Sequence, residues 1–188
     1  MHSRKEVLID ALITHLQRNG LADLSLRPLA AEIGTSARLL IYHFGSKENL
    51  LAEVLEVMQA RLRDSALKLT KAATEGDGKP PLRLFWNWAT ARKNFGYLKL
   101  LYELQILAAQ NPAAYAQYLE RNSSNWLDLV QAALPPSERT AAMATLLVAV
   151  FDGLFLELMS TGDRQRTTQA LEEFISLVVK ARECRSRD

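Results

Sequence analysis

Apolar residues recur with a helical period along nearly the whole chain. Leu8, Leu12 and Leu16 fall at i, i+4 and i+8, and Ile9 and Ile13 widen the stripe, which predicts a helix over 4–19. Gly20 then suits the left-handed position that ends a helix. Ser25 is a good N-cap, since its oxygen can accept from the orphan N–H groups of the next turn, and Pro28 sits in the first turn, where a missing N–H costs little. Leu26, Leu29, Ala30 and Ile33 form the inner face of this short helix, which stops at Gly34. A second short helix follows Thr35-Ser36, points Leu40 and Phe44 inward, and stops near Phe44-Gly45. Ser46 caps a third, with Glu48 in its first turn. Leu50, Leu51, Val54, Leu55, Met58, Leu62 and Leu69 carry that helix to about Ala73, a rod of about 40 Å at 1.5 Å per residue.

The stretch 75–79 (EGDGK), followed by Pro80-Pro81, ends the rod and reads as a linker. Helical patterns resume at 82–94, 96–110, 112–134, 138–160 and 164–182, with Pro112, Pro135-Pro136-Ser137 and Thr161-Gly162-Asp163 as the breaks. No period-two alternation of any length is present. The expected fold class is all-α, about nine helices.

Two short helices joined by a turn containing Gly make a helix-turn-helix, whose second helix can enter a DNA major groove. The outer face of 35–42 is then the reading surface. Thr35 and Ser36 suit either kind of base edge, Arg38 can make a bidentate contact to guanine, and Leu39 can touch a thymine methyl. Lys47, at the start of the rod, is the best phosphate anchor, with Ser25, Arg27, Tyr42 and His43 as further candidates. The plainer alternatives are that Ser25 and Ser46 only cap, that Lys47 and Arg38 are solvated surface charges, and that His43 holds a helix end. His15, on or beside the apolar stripe, reads as a packed or half-exposed core histidine.

Composition narrows the classes. The 188 residues are 48% hydrophobic, enough for a core and too many for a disordered chain. No window holds 18 uncharged apolar residues, and the longest run, 143–156, is broken by Asp152, so no membrane span is expected. The N-terminus carries Asp10 within its apolar part and does not read as a signal peptide. The one cysteine, Cys184, lies in a charged tail; it suits a reducing cytoplasm and neither an internal disulfide nor a metal site. The net charge of +2 is modest, so any attraction to DNA is local: from Arg27 to Lys47 there are three basic residues (Arg27, Arg38, Lys47) against one acidic (Glu32). Neither a Gly-rich phosphate loop, nor a nucleophile elbow, nor Cys/His metal spacing is present, so neither an enzyme nor a cofactor is expected.

A single helix-turn-helix has a small footprint, and such proteins usually pair to read two half-sites. The helices 138–160 and 164–182 carry more apolar residues than one amphipathic face needs, and are the expected dimer helices, through Leu147, Phe151, Gly153, Leu154, Leu171, Phe174 and Val178. The alternative is that they form only the core of their own domain. Gly153 inside an apolar helix costs ~1 kcal/mol against Ala, which a close helix crossing would explain. Asp152 beside it pairs across the interface, lines a pocket, or sits at the edge of the helix face.

The stretches LIDALITHLQRNG, SLRPLAAEIGTS and LIYHFGSKENLL, within 8–51, together resemble the DNA-binding domain of the tetracycline-repressor (TetR) family of bacterial regulators. The last is the most specific, being close to the family signature L-Y-x-H-F-x-S-K-E-x-L-L. It departs at Ile41, where the family usually has a tyrosine that contacts phosphate; Tyr42, next along, either replaces it or packs. The resemblance implies a helix-turn-helix domain over 1–51, with the connecting helix 46–73 beginning inside it, and a helical effector-binding and dimerisation domain over 52–188. It also implies a cytoplasmic homodimer on a palindromic operator in double-stranded DNA, most often a repressor, that an effector shifts to a state with wrongly spaced reading heads. The small-molecule effector pocket it implies is placed among the aromatic-rich helices, with Trp86, Trp88, Tyr102, Glu103, Tyr115 and Trp126 as lining. Two other classes compete: an all-α small-molecule-binding protein that makes no use of specific DNA, and a helical enzyme using Asp152 or Glu103.

Overall fold

The computed structural model describes residues 4–21, 24–75 and 80–185; within these spans the side chains of 72–75, 117, 121–126, 129, 137 and 185 lie outside the described set. The expected linker 75–79 falls almost wholly outside the described residues. The described residues form nine α-helices and one short 3-10 turn, without a strand: α1 Arg4–Asn19, α2 Leu26–Glu32, α3 Ala37–Phe44, α4 Lys47–Glu75, α5 Pro81–Ala89, α6 Arg92–Gln110, α7 Ala116–Ala132, α8 Ala141–Thr161 and α9 Arg164–Arg185. The all-α expectation holds.

The chain forms two compact units, each assembled from non-consecutive segments: residues 1–64 with 92–123, and 65–91 with 124–188. Helix α4, 29 residues and about 43 Å long, belongs to both.

In the first unit, α1 packs on α2 and α6, and α2 on α3. The predicted stripe of α1 (Leu8, Ile9, Leu12, Ile13, Leu16) is buried, as are Leu29, Leu40, Phe44, Leu50, Leu51, Val54, Leu55 and Met58. Polar ties cross-link these helices. Lys5 pairs with Glu53 at 2.7 Å and lies 5.3 Å above the Phe44 ring, so one ammonium joins α1, α3 and α4. His15 is half-buried, as expected, and its Nδ1 is 2.9 Å from a Glu32 oxygen, linking α1 to α2. Arg61 pairs with Asp10, and the Tyr97 hydroxyl donates to the Met58 carbonyl at 2.8 Å. Burial pushes the Tyr118 phenol up to about 12, an effect that its hydrogen bond from Gln59 partly offsets.

In the second unit α8 packs along α9. Thr140 caps α8, accepting from the Met143 N–H at 3.2 Å, and Gly162, at φ +71°, closes it. Asp163 caps α9, accepting from the Arg166 N–H at 3.0 Å. Several boundaries differ from the pattern. The helix expected over 82–94 stops at Ala89, where the Thr90 hydroxyl and N–H both bond the Trp86 carbonyl, and α6 starts at Arg92 and runs straight through Gly96. Residues 111–115 form a turn rather than the first turn of the next helix, and α8 starts at Ala141, after a 3-10 turn over Pro136–Glu138. Helix α8 is also long and apolar enough to match a membrane span by length and composition, a match the strict uncharged-window test missed. It carries Asp152 and Glu157, and buries one face, through Ala144, Phe151, Phe155 and Leu158, inside the second unit.

Candidate nucleic-acid interface and effector cavity

The turn between α2 and α3 is a hydrogen-bonded helix stop. Gly34 lies at φ +70°, its N–H donates to the Ala31 carbonyl at 3.2 Å, and the Thr35 N–H donates to the Ala30 carbonyl at 2.8 Å. This is the Schellman pattern, which favours glycine because the left-handed backbone crowds a Cβ. Ser36 then caps α3, accepting from the Leu39 N–H at 3.2 Å. Leu40 and Phe44 are buried, four residues apart, which fixes the rotation of this two-turn helix and turns its other side outward. Arg38, Ile41 and Tyr42 are exposed on α3, and Leu39 and His43 are half-buried. Tyr42 is 80% exposed, with its ring edge-on to His43 at 5.2 Å. Of the two options for Tyr42, the structure places it on the surface, beside the exposed Ile41 that occupies the family's tyrosine position.

Three expected roles change at atomic level. Ser25 is the N-cap residue of α2, but its side chain makes no cap hydrogen bond, so its exposed hydroxyl is not spent on the helix. Thr35 does not present its hydroxyl to a base edge: the oxygen is enclosed and has no partner. Lys47 is neither a freely solvated charge nor solely a clamp, because its Nζ donates to the Leu24 carbonyl, tying the start of α4 to the residue just before the α2 cap. Arg27 stands exposed in the first turn of α2, and Ser46 accepts from the Asn49 N–H at 3.0 Å as the α4 cap. Two capped helix starts, a glycine stop and an outward face carrying Arg38 and Tyr42 make a rigid helix-turn-helix. A family model described as bacterial regulatory proteins, tetR family, matches residues 8–54.

Residues 8–54 are a TetR-family DNA-binding domain.

The chain is a DNA-binding transcriptional regulator. The nucleoid occlusion factor SlmA of Mannheimia succiniciproducens is 26% identical over 181 residues, which cover 90% of this chain and 82% of that protein. The HTH-type transcriptional regulator BetI of Escherichia coli is 23% identical, covering 92% of each chain. Among solved structures, the multidrug binding protein EbrR complexed with imidazole superposes with a TM-score of 0.63 at 25% identity, covering 90% of this chain and 88% of that one.

The second unit holds a cavity of about 280 Å³. Its wall takes Ala66, Leu69 and Thr70 from α4, Phe85 from α5, Val130 from α7, Leu147 and Phe151 from α8, and Phe174, Val178 and Arg182 from α9. The described side chains expected to line an effector pocket are not among those lining this cavity. Trp86 is fully buried and donates its indole N–H to the Thr168 hydroxyl at 2.9 Å, as a core residue does. Trp88 stacks on Phe85 at 5.6 Å, behind the wall. Tyr102, Glu103 and Tyr115 belong to the first unit, where Glu103 lies 3.8 Å from Lys99, one helical turn away, and Tyr115 is buried with its phenol pushed up by desolvation. The Trp126 side chain lies outside the described residues. Of the residues expected at a dimer interface, Leu147, Phe151, Phe174 and Val178 line the cavity, and Leu171 is buried. Gly153 is exposed, with nothing within 4 Å of where a Cβ would stand, so no close crossing within the chain accounts for it. Leu154 and Asp152 are half-buried.

The outer face of α8 was not singled out by the apolar pattern because the whole helix is apolar. Ala142, Leu146, Ala149, Gly153, Leu156 and Ser160 follow one another at three- and four-residue steps and are all exposed. Leu177 on α9, 63% exposed, and Val179 extend the apolar surface of the same unit.

Proposed function

We propose that the chain works in the cytoplasm as a homodimer that holds a palindromic operator and is released from it by a small-molecule effector, and so acts as a repressor. The outward face of α3 carries this reading: its inner side is fixed by Leu40 and Phe44, and Arg38 and Tyr42 project to solvent. Arg38 reads a guanine edge, Leu39 a thymine methyl, and Ser36 the neighbouring base. Ser25, Arg27, Tyr42, His43 and Lys47 hold phosphates and set register. Thr35, with its hydroxyl enclosed, serves the turn.

The exposed stripe of α8, with Leu177 of α9, supports the pairing surface. Small residues at 142, 149 and 153 allow a second helix to approach closely, and Leu146 and Leu156 supply apolar area that a lone chain leaves in water. The cavity in the second unit supports the effector site, as does EbrR, a relative in fold that is described as binding multiple drugs. Helix α4 offers a route between the two events, since it begins beside the reading helix and Ala66, Leu69 and Thr70 of the same helix stand on the cavity wall. An effector that prefers one α4 setting shifts the population away from the DNA-competent state, and by linkage DNA weakens effector binding by the same factor. This is a binding function rather than an enzymatic one.

The test is an anisotropy titration against palindromic and random duplexes at several salt concentrations, with Leu146→Glu and Leu156→Glu alongside. Specific binding with a steep salt slope, lost together with the dimer in sedimentation, is the expected result. Equal affinity for all sequences would leave the chain as a small-molecule-binding protein, and tight binding by a monomer would remove the pairing surface.

A further inference from the structure

The walls of the cavity in the second unit say what kind of molecule fits it. Among the described lining residues Arg182 is the one charged side chain, and its charge is already matched. Its Nε and one terminal nitrogen donate to the two oxygens of Glu138 at 2.8 and 2.6 Å, in the bidentate geometry that best suits guanidinium and carboxylate. Glu138 is 7% exposed and is not on the wall. Two further polar groups of lining residues have partners within the protein. The Thr70 hydroxyl donates to the Ala66 carbonyl at 2.9 Å, and the Leu134 carbonyl accepts from Arg139 at 3.2 Å. The rest of the wall is hydrocarbon: Leu69, Phe85, Leu147, Phe151 and Val178.

Among the described lining residues no carboxylate faces a cationic ligand. An anionic ligand would have to draw Arg182 out of its bidentate pair with the buried Glu138 carboxylate, or join the neutral pair as a surplus charge in an apolar site. An apolar cavity of ~150 Å³ holds a benzene ring, so ~280 Å³ holds roughly eleven non-hydrogen atoms. We propose that the cavity takes an uncharged, apolar molecule about the size of two fused aromatic rings, and that the Arg182–Glu138 pair excludes its charged analogues. The proposal rests on the reading of this cavity as the effector site.

The full-length protein is titrated by calorimetry with naphthalene, 1-naphthoate and 1-naphthylmethylammonium, and operator binding is measured in parallel. Val178→Phe and Leu147→Phe, from different helices, each fill the cavity; either one that retains the wild-type circular dichroism spectrum serves. Naphthalene should bind, both charged analogues should bind at least 100-fold more weakly, and a folded cavity-filled variant should lose naphthalene. A charged analogue that binds as tightly as naphthalene, and is also lost in the filled variant, would overturn the ligand class while leaving the cavity as the effector site. Naphthalene binding unchanged in the filled variant would remove the cavity itself, and the proposal with it. So would failure of all three probes to bind a protein that still holds its operator.

Discussion

Replacing Lys47 with methionine tests both of its assigned jobs. The ammonium donates to the Leu24 carbonyl and is half-buried. A hydrogen bond with one charged partner is worth ~1.5–3 kcal/mol when buried, so partial exposure puts this tie near ~1.5 kcal/mol. An ammonium carries three N–H bonds, so the tie leaves others for a phosphate. The Lys47→Met variant should therefore unfold about 1.5 kcal/mol more easily in urea. Its DNA affinity should fall equally on operator and random duplex, because a phosphate contact carries no sequence information. The salt dependence is the sharper reading. One lost phosphate contact lowers the slope of log K against log salt by ~0.9. Over a fourfold salt change, from about 50 to about 200 mM, the ratio of wild-type to variant affinity should then shrink by about 3.5-fold. Fluorescence anisotropy at both salts measures it. A loss of affinity that stays constant with salt would mean that Lys47 only braces the segment before α2, and the assignment to phosphate would be wrong.

Arg38→Ala should cost ~1–3 kcal/mol on the operator and relax preference at one base pair, with a much smaller loss on random DNA; equal losses on both would make Arg38 a phosphate or surface residue. Ser36→Ala removes the oxygen that accepts from the Leu39 N–H and should destabilise the protein by ~1 kcal/mol in urea, with operator affinity falling as α3 frays. Arg182→Met removes both hydrogen bonds that Arg182 gives the buried Glu138 carboxylate. Breaking a buried pair costs ~3–5 kcal/mol, and the 40% exposure of Arg182 discounts this to about 2–3 kcal/mol near pH 7. Thermal melts near pH 7 measure the loss, and a variant as stable as wild type would show that the pair contributes nothing to the fold.

Local chemistry wrote the DNA-binding end legibly. Gly34, Ser36, Gly45 and Ser46 act within four or five residues of themselves, through a positive φ or a cap, and Leu40 and Phe44 orient α3 by spacing alone. The helix count and the placement of α1 to α4 followed from period, as did the outward aspect of Arg38. What the pattern could not supply were partners distant in sequence. Lys47 reaches back 23 residues to Leu24, and Arg182 reaches 44 residues to Glu138. Neither contact leaves a trace in spacing, because a long side chain can meet any group that the fold brings near it.

The cavity shows the same limit. Aromatic residues at helical spacing look alike whether they fill a core or line a void, and here Trp86 does the first and Phe85 the second. Helix α8 is apolar all round, so period could not tell its buried face from its exposed one; packing against α9 and the cavity decided it. The sequence by itself determined the all-α class, the helix-turn-helix and the outward face of α3, because these rest on short-range backbone preferences and on one strong amphipathic period. Only the tertiary structure decided which apolar residues enclose space, which are left exposed, and which charges are already matched, because each depends on distances between segments that the chain order leaves free.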